Sequence, residues 1–291
     1  MTIAVIVWAC AFPFIRIGLD EGLSFINLTI MRFLVVCISF LILILIKNKW
    51  FSKLQKKDII PIFLLGFFGV IIYHFGLNYG EQYISPGAAS LIIATIPVFI
   101  ILLARIFLKE KITKIKLAGI ILALVGVIII SLWGRKEATL EIEYTIAAIA
   151  VLIAAIMGAI YTIAGKKLLD RYNGISLTAY AMLLGSIGLI PFLNSSLVTE
   201  VTAMSTNGWI AILFLGIIST VIGYGIWYIA LKIKSASEIS IYLYAIPVIS
   251  TIISYFLFDD KITVLFILGG VFVIIGLIFV NMKTKKLIKQ T

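Results

Sequence analysis

Residues 85–113 read SPGAASLIIATIPVFIILLARIFLKEKIT, and residues 235–263 read SASEISIYLYAIPVISTIISYFLFDDKIT. Laid over each other at an offset of 150, the two stretches share a leading serine (Ser85, Ser235), a central Ile-Pro-Val (Ile96 to Val98, Ile246 to Val248) and a closing Lys-Ile-Thr (Lys111 to Thr113, Lys261 to Thr263). Between the polar start and the charged end of each lies an apolar run of the length a helix needs to cross a bilayer, roughly 20 residues at 1.5 Å rise. Pro97 and Pro247 fall near mid-run, where proline removes a backbone donor and clashes one turn back, so both are expected to kink their helices.

Similar runs recur along the whole chain. Of its 291 residues, 63% are apolar and 13% charged, against roughly 45–50% and 25% in soluble domains, and the mean hydropathy is +1.20. Reading the runs between charges places ten spans near residues 1–18, 26–46, 59–80, 85–108, 114–133, 144–165, 174–193, 208–231, 236–258 and 262–282. The expected fold class is an all-α polytopic membrane protein of ten transmembrane helices. Its first run lacks the basic start and cleavage site of a signal peptide and is read as a span, so abrupt that a few residues are expected upstream. Eighteen Lys and Arg fall in alternate loops and the C-terminal tail, and four in the other loops. The positive-inside rule then puts both termini in the cytoplasm of a multi-pass cell-membrane protein.

Several functions are excluded at this point. The net charge of +11 comes from scattered topology determinants and not from a basic patch, so nucleic acid is no partner. Cys10 and Cys37 sit inside apolar runs and, with a single histidine, offer neither a disulfide framework nor a metal site. No cofactor is expected, and without a G-x-x-x-x-G-K-[ST] loop any energy comes from an ion or solute gradient.

The self-similarity extends beyond the quoted stretches. Gly119 and Gly126 fall on Gly269 and Gly276 at the same offset, and at 149 Ile26, Leu28 and Thr29 fall on Ile175, Leu177 and Thr178. Two five-span repeats follow, residues 1–136 and 137–291, and because five is odd they lie inverted across the membrane. Each glycine pair marks one helix face for close contact, between spans or in a homodimer. The whole chain resembles EamA-type members of the drug/metabolite transporter superfamily. The resemblance is carried by Trp8 to Phe12, Arg32 to Leu34, Gly80 to Gln82, Ser85 to Ser90, Pro97, the Glu110 turn, the Gly119/Gly126 pair, Pro247, Gly269 and Gly276. It implies a small-solute transporter, often an exporter of amino acids or related metabolites, whose cavity is surrounded by spans one, three, four, six, eight and nine.

His74, Asn78 and Glu81, spaced i, i+4, i+7, share one face of span three and form a polar track; Tyr224, Tyr228 and Leu231 are their repeat counterparts. Glu81 with His74 is the candidate proton-coupling pair, against readings of His74 as a packing histidine and Glu81 as an interfacial cap or partner for Arg32. Arg32, near the end of span two, is expected to snorkel or to pair with Glu81, Asp20 or Glu21. Ser85 with Pro86 starts span four, and Ser235 with Glu238 forms a capping box. Ser90 precedes Pro97 and Tyr244 precedes Pro247, on the faces expected toward the cavity. By the resemblance Trp8, Phe12, Tyr161, Tyr224, Trp227, Tyr228 and Tyr244 also face it; ordinary packing is the alternative for each. The partners expected are a small-molecule solute and the lipid bilayer. The function read from the sequence is secondary transport of small metabolites, with amino-acid export as its best single form. Another solute class or a non-transporting scaffold are the alternatives; an enzyme would need a nucleophile and base, or a metal cluster, that the spans lack.

Overall fold

In the computed structural model, described for residues 1–107, 114–133, 142–234, 236–258 and 263–281, every regular element among the described residues is a helix. The long ones are α1 (Thr2–Asp20), α2 (Phe25–Ile46), α3 (Lys56–Tyr83), α4 (Pro86–Phe107), α5 (Lys114–Trp133), α6 (Ile142–Leu168), α7 (Gly174–Ile187), α8 (Thr206–Ile233), α9 (residues 236–258) and α10 (Val264–Asn281). A short helix, Ser196–Ala203, precedes α8. Helices α1 to α4, α6 and α8 are long and apolar enough to cross a bilayer, and shorter apolar stretches occupy α5, α7, α9 and α10. The Glu110 and Asp260 turns and the Ser235 cap lie outside the described residues.

Local chemistry sets the boundaries. The Ser24 hydroxyl accepts from Asn27 N–H (3.2 Å), Ser85 from Ala88 N–H (3.2 Å) and Asn173 from Ser176 N–H (2.8 Å), each satisfying an orphan donor at a helix start. Gly22, at φ 91°, turns the chain between α1 and α2 in a conformation that a side chain would strain. Along α2 the exposed residues Leu34, Ile38, Leu41, Ile42 and Leu45 follow helical spacing, whereas Asn27, Arg32, Phe33, Val36 and Phe40 are buried. So large an apolar face would aggregate in water, and in a bilayer it meets lipid.

The packing repeats itself. Helix α1 packs on α8 and α9 as α6 packs on α3 and α4, α2 packs on α8 as α7 does on α3, and α5 packs on α10. A Cβ on Gly126 would stand 2.5 Å from the Gly269 carbonyl oxygen, and one on Gly276 would stand 2.6 Å from that of Gly119. The two glycine faces are therefore spent on each other within the chain, where only glycine lets the backbones approach so closely.

The long helices α3 and α8 are both locally wound as π-helix, at Phe67–Ile72 and Phe214–Ile222. At the far ends of these helices, the Arg16 guanidinium donates to the Glu81 carbonyl and the Lys166 ammonium to the Leu231 carbonyl. Arg16 and Lys166 are 150 residues apart, as are Glu81 and Leu231. Each cation thus neutralises the negative end of a helix dipole at a matching place. Helix α4 is interrupted at Ala94 and Thr95, just before Pro97, and resumes at Ile96, so the proline sits in a first turn where its missing N–H costs nothing. Pro247 stands likewise in the first turn of Ala245–Phe258, after the tighter 3-10 turn Ile241–Tyr244.

Candidate functional site

A cavity opens where α1, α2, α3, α4, α6, α8 and α9 meet, with a free volume of about 70 Å³ for the centres of water-sized spheres. Its wall is largely aromatic. Trp8 of α1 lies edge-on to Tyr224 at 5.3 Å and tilted against Trp227 at 5.4 Å, and Tyr161 of α6 meets Tyr224 at 5.7 Å. Trp8 Nε1 donates to the Ser219 carbonyl (3.0 Å) in the π-helical part of α8, which fixes the indole across the chamber. Phe12 completes the wall from α1.

The polar groups come from three helices. His74 is wholly buried, with Phe33 and Tyr73 each edge-on at 4.8 Å. Its Nδ1 lies 3.1 Å from the Val70 carbonyl. A carbonyl only accepts, so Nδ1 carries the proton in the neutral ring and Nε2 is left as an acceptor. Arg32 Nε donates to Thr220 Oγ1 (2.9 Å) and Nη2 to Ser219 Oγ (3.2 Å). The wider π turn delivers this pair of hydroxyls to the arginine, with Thr220 Oγ1 itself donating five residues back to the Leu215 carbonyl (2.8 Å).

Trp8, Phe12, His74, Tyr161, Tyr224 and Trp227 are thus brought together around one chamber, and Asn78, Ser90, Tyr228, Tyr244 and Glu81 stand off its wall. Asn78 turns to α2, donating to Thr29 Oγ1 (2.9 Å). The Ser90 hydroxyl bonds back to the Gly87 carbonyl (2.7 Å). Tyr228 stacks behind Tyr161 at 5.0 Å and donates to its carbonyl (3.1 Å). Tyr244 is half-buried in the turn before Pro247. Glu81, expected at the membrane boundary, is wholly buried at the end of α3. Arg32 corrects the sequence reading most. It neither snorkels nor pairs with Asp20 or Glu21, because Asp20 is held by Arg16 (2.9 Å), Glu21 by Ser205 (2.8 and 2.7 Å), and the α8 hydroxyls draw the guanidinium inward.

Polar knots tie the helix ends beyond the cavity. At the lysine-rich end, Arg171 grips Asp58 through Nε (3.0 Å) and Nη2 (2.6 Å), and Tyr172 adds a third bond (2.9 Å). At the opposite end Glu200 accepts from Ser24 N–H (2.9 Å), Asn27 Nδ2 (2.7 Å) and Ser196 Oγ (2.7 Å). Partial burial works to raise the Glu200 pKa, but these bonds together outweigh it and hold the carboxyl below the ordinary glutamate value. A lowered folded-state pKa stabilises fully above the unfolded value and is lost as pH falls through the folded one. Acidification from about pH 5 to 3 is therefore expected to lower the melting temperature of the detergent-solubilised protein, and Glu200→Gln to remove roughly 2–4 °C of that fall. An unchanged acid profile in the variant would show that the knot carries no such stability.

Residues 1–132 and 145–282 match the EamA-like transporter family. An "Uncharacterized transporter" of Archaeoglobus fulgidus is 39% identical over 97% of this chain and 98% of its own length. The "Uncharacterized transporter YdfC" of Bacillus subtilis (strain 168) is 34% identical over 97% of this chain and 90% of its own. A "Probable terminal-alkyne amino-acid exporter" of Streptantibioticus cattleyicolor is 31% identical over 98% and 93%. A crystal structure aligns with a TM-score of 0.64 over 95% of this chain and 93% of the other at 17% identity, which shows a common fold. The chain belongs to the EamA-like transporter family, within the drug/metabolite transporter superfamily, and is a multi-pass membrane transporter.

Proposed function

We propose that this transporter is a secondary carrier that exports amino acids or related small metabolites across the cell membrane by alternating access. The supporting observation is the cavity, an aromatic chamber with an arginine and a histidine where helices from both halves of the chain meet. Residues 150 apart make matching contacts, which fits inverted repeats at 1–136 and 137–291, ten spans and two cytoplasmic termini. The name of the Streptantibioticus cattleyicolor relative favours amino acids. In this reading Trp8, Phe12, His74, Tyr161, Tyr224 and Trp227 hold the solute, and Asn78, Ser90 and Tyr228 support that wall from behind. Glu81 with His74 carries the coupling proton, and the broken helices at Pro97 and Pro247 bend as the chamber turns from one side to the other. The protein performs no covalent chemistry.

Counterflow in proteoliposomes tests the proposal. Vesicles preloaded with unlabelled amino acids are expected to draw in labelled amino acid faster than protein-free vesicles. Counterflow with nucleosides or sugars alone would move the carrier to another solute class. No counterflow with any pool would overturn it in favour of a scaffold.

A further inference from the structure

We propose that Arg32 clasps the anionic group of the solute, so that the cargo carries a carboxylate on a compact apolar or aromatic body. This rests on the carrier reading and adds the chemistry that the chamber selects. Arg32 lies about 10 Å along α2 from its first residue, is 3% exposed and lines the cavity. A guanidinium stays charged and brings five N–H donors. Among the described residues two of these are taken, both by neutral hydroxyls, Thr220 Oγ1 and Ser219 Oγ. A charge held in a membrane interior by neutral partners is costly until a counter-charge joins it. Glu81 acts on Arg32 through space, but no carboxylate lies on the cavity wall among the described residues. The counter-charge in direct contact therefore enters with the solute.

The chemistry of the wall narrows the anion. Among the described residues one arginine and no lysine line the chamber, which suits a monoanion, and a planar carboxylate matches the guanidinium fork. A phosphate dianion would bring more charge than the site offsets. The free volume of about 70 Å³ admits a small molecule and not a lipid chain. A further wall atom, His74 Nε2, is buried without a hydrogen-bond partner among the described residues. Buried polar atoms are normally satisfied, so a solute that also carries an N–H or O–H group fits this wall best.

The full-length protein in detergent, with Trp8 and Trp227 fluorescence as reporter, is titrated with matched pairs: leucine and leucinamide, phenylalanine and phenylalaninamide, 4-methylpentanoate and 4-methylpentanamide, 3-phenylpropanoate and 3-phenylpropanamide. The better-fitting carboxylates are expected to bind about tenfold or more tightly than their own amides. Arg32→Gln is expected to bring them to the amide level, and Arg32→Lys to keep part of the preference. If Arg32→Gln does not fold, the wild-type comparison and Arg32→Lys decide. Equal binding of acids and amides, a preference surviving in folded Arg32→Gln, or no binding by any carboxylate would overturn the proposal. Counterflow separates the two readings: exchange of neutral solutes without carboxylate preference keeps the carrier and removes the role of Arg32, whereas no exchange with any pool removes the carrier itself.

Discussion

Gly158→Leu is expected to cut solute exchange about a hundredfold, equivalent to roughly 2.7 kcal/mol of lost binding, while the protein remains folded. Gly158 of α6 lines the cavity, and a Cβ there would meet Ile96 Cδ1 at 3.0 Å and Tyr73 Cε2 at 3.3 Å. These are side-chain tips that give by a few tenths of an ångström, unlike the carbonyls facing Gly126 and Gly276. Filling such a site costs the fold about 1–3 kcal/mol. The four added carbons occupy space in a chamber of about 70 Å³ that the solute needs. At the offset that pairs Arg16 with Lys166, the counterpart of Gly158 is Trp8, also on the wall. The first half of the chain offers a large indole at this position and the second half nothing, and the chamber takes its room from that difference. Counterflow with gel filtration and melting as folding controls checks the expectation. A folded variant with full exchange would place the solute path elsewhere.

The helices and their breaks were legible because they rest on local physics. Apolar run length sets the spans, Ser24, Ser85 and Asn173 cap where short polar side chains precede apolar runs, and Pro97 stands just after the break in α4. The aromatic wall followed from the resemblance and the repeat offset together. Helical spacing alone went less far. Asn78 and Glu81 share a face with His74, but only His74 reaches the cavity, because the face meets α2 at Asn78. Ser90 was lost to a bond with its own helix, a common end for a buried hydroxyl. Arg32 was missed because its depth was measured from its own helix end, while its partners come from a π turn on α8 that the sequence does not announce. A signal was present: Arg32 has no acidic residue within a turn on α2, and Ser219-Thr220 interrupts the apolar run of α8. A buried cation and a buried hydroxyl pair each imply a partner on another helix.

Glu81→Gln is expected to leave solute exchange intact and to abolish accumulation driven by a pH gradient. For one proton per solute, each pH unit supplies about 1.36 kcal/mol, or a tenfold concentration ratio. The variant therefore loses about tenfold accumulation per unit of gradient. Glu81 is wholly buried, seven residues or about 10 Å along α3 from His74, and Asn78 between them has a buried Oδ1 without a hydrogen-bond partner among the described residues. The surroundings of a carboxyl group in that place change as the chamber opens or closes, so its proton binding and the exposure of the chamber bias each other. Gln keeps the shape and removes the titration. Exchange of one solute for another moves no net proton and needs no titrating group, so counterflow serves as the internal control for folding and binding. Variant vesicles that still concentrate solute in proportion to the gradient would place coupling on another group, with His74 the next to test. Loss of both exchange and accumulation would instead make Glu81 part of the solute site, acting through its effect on Arg32.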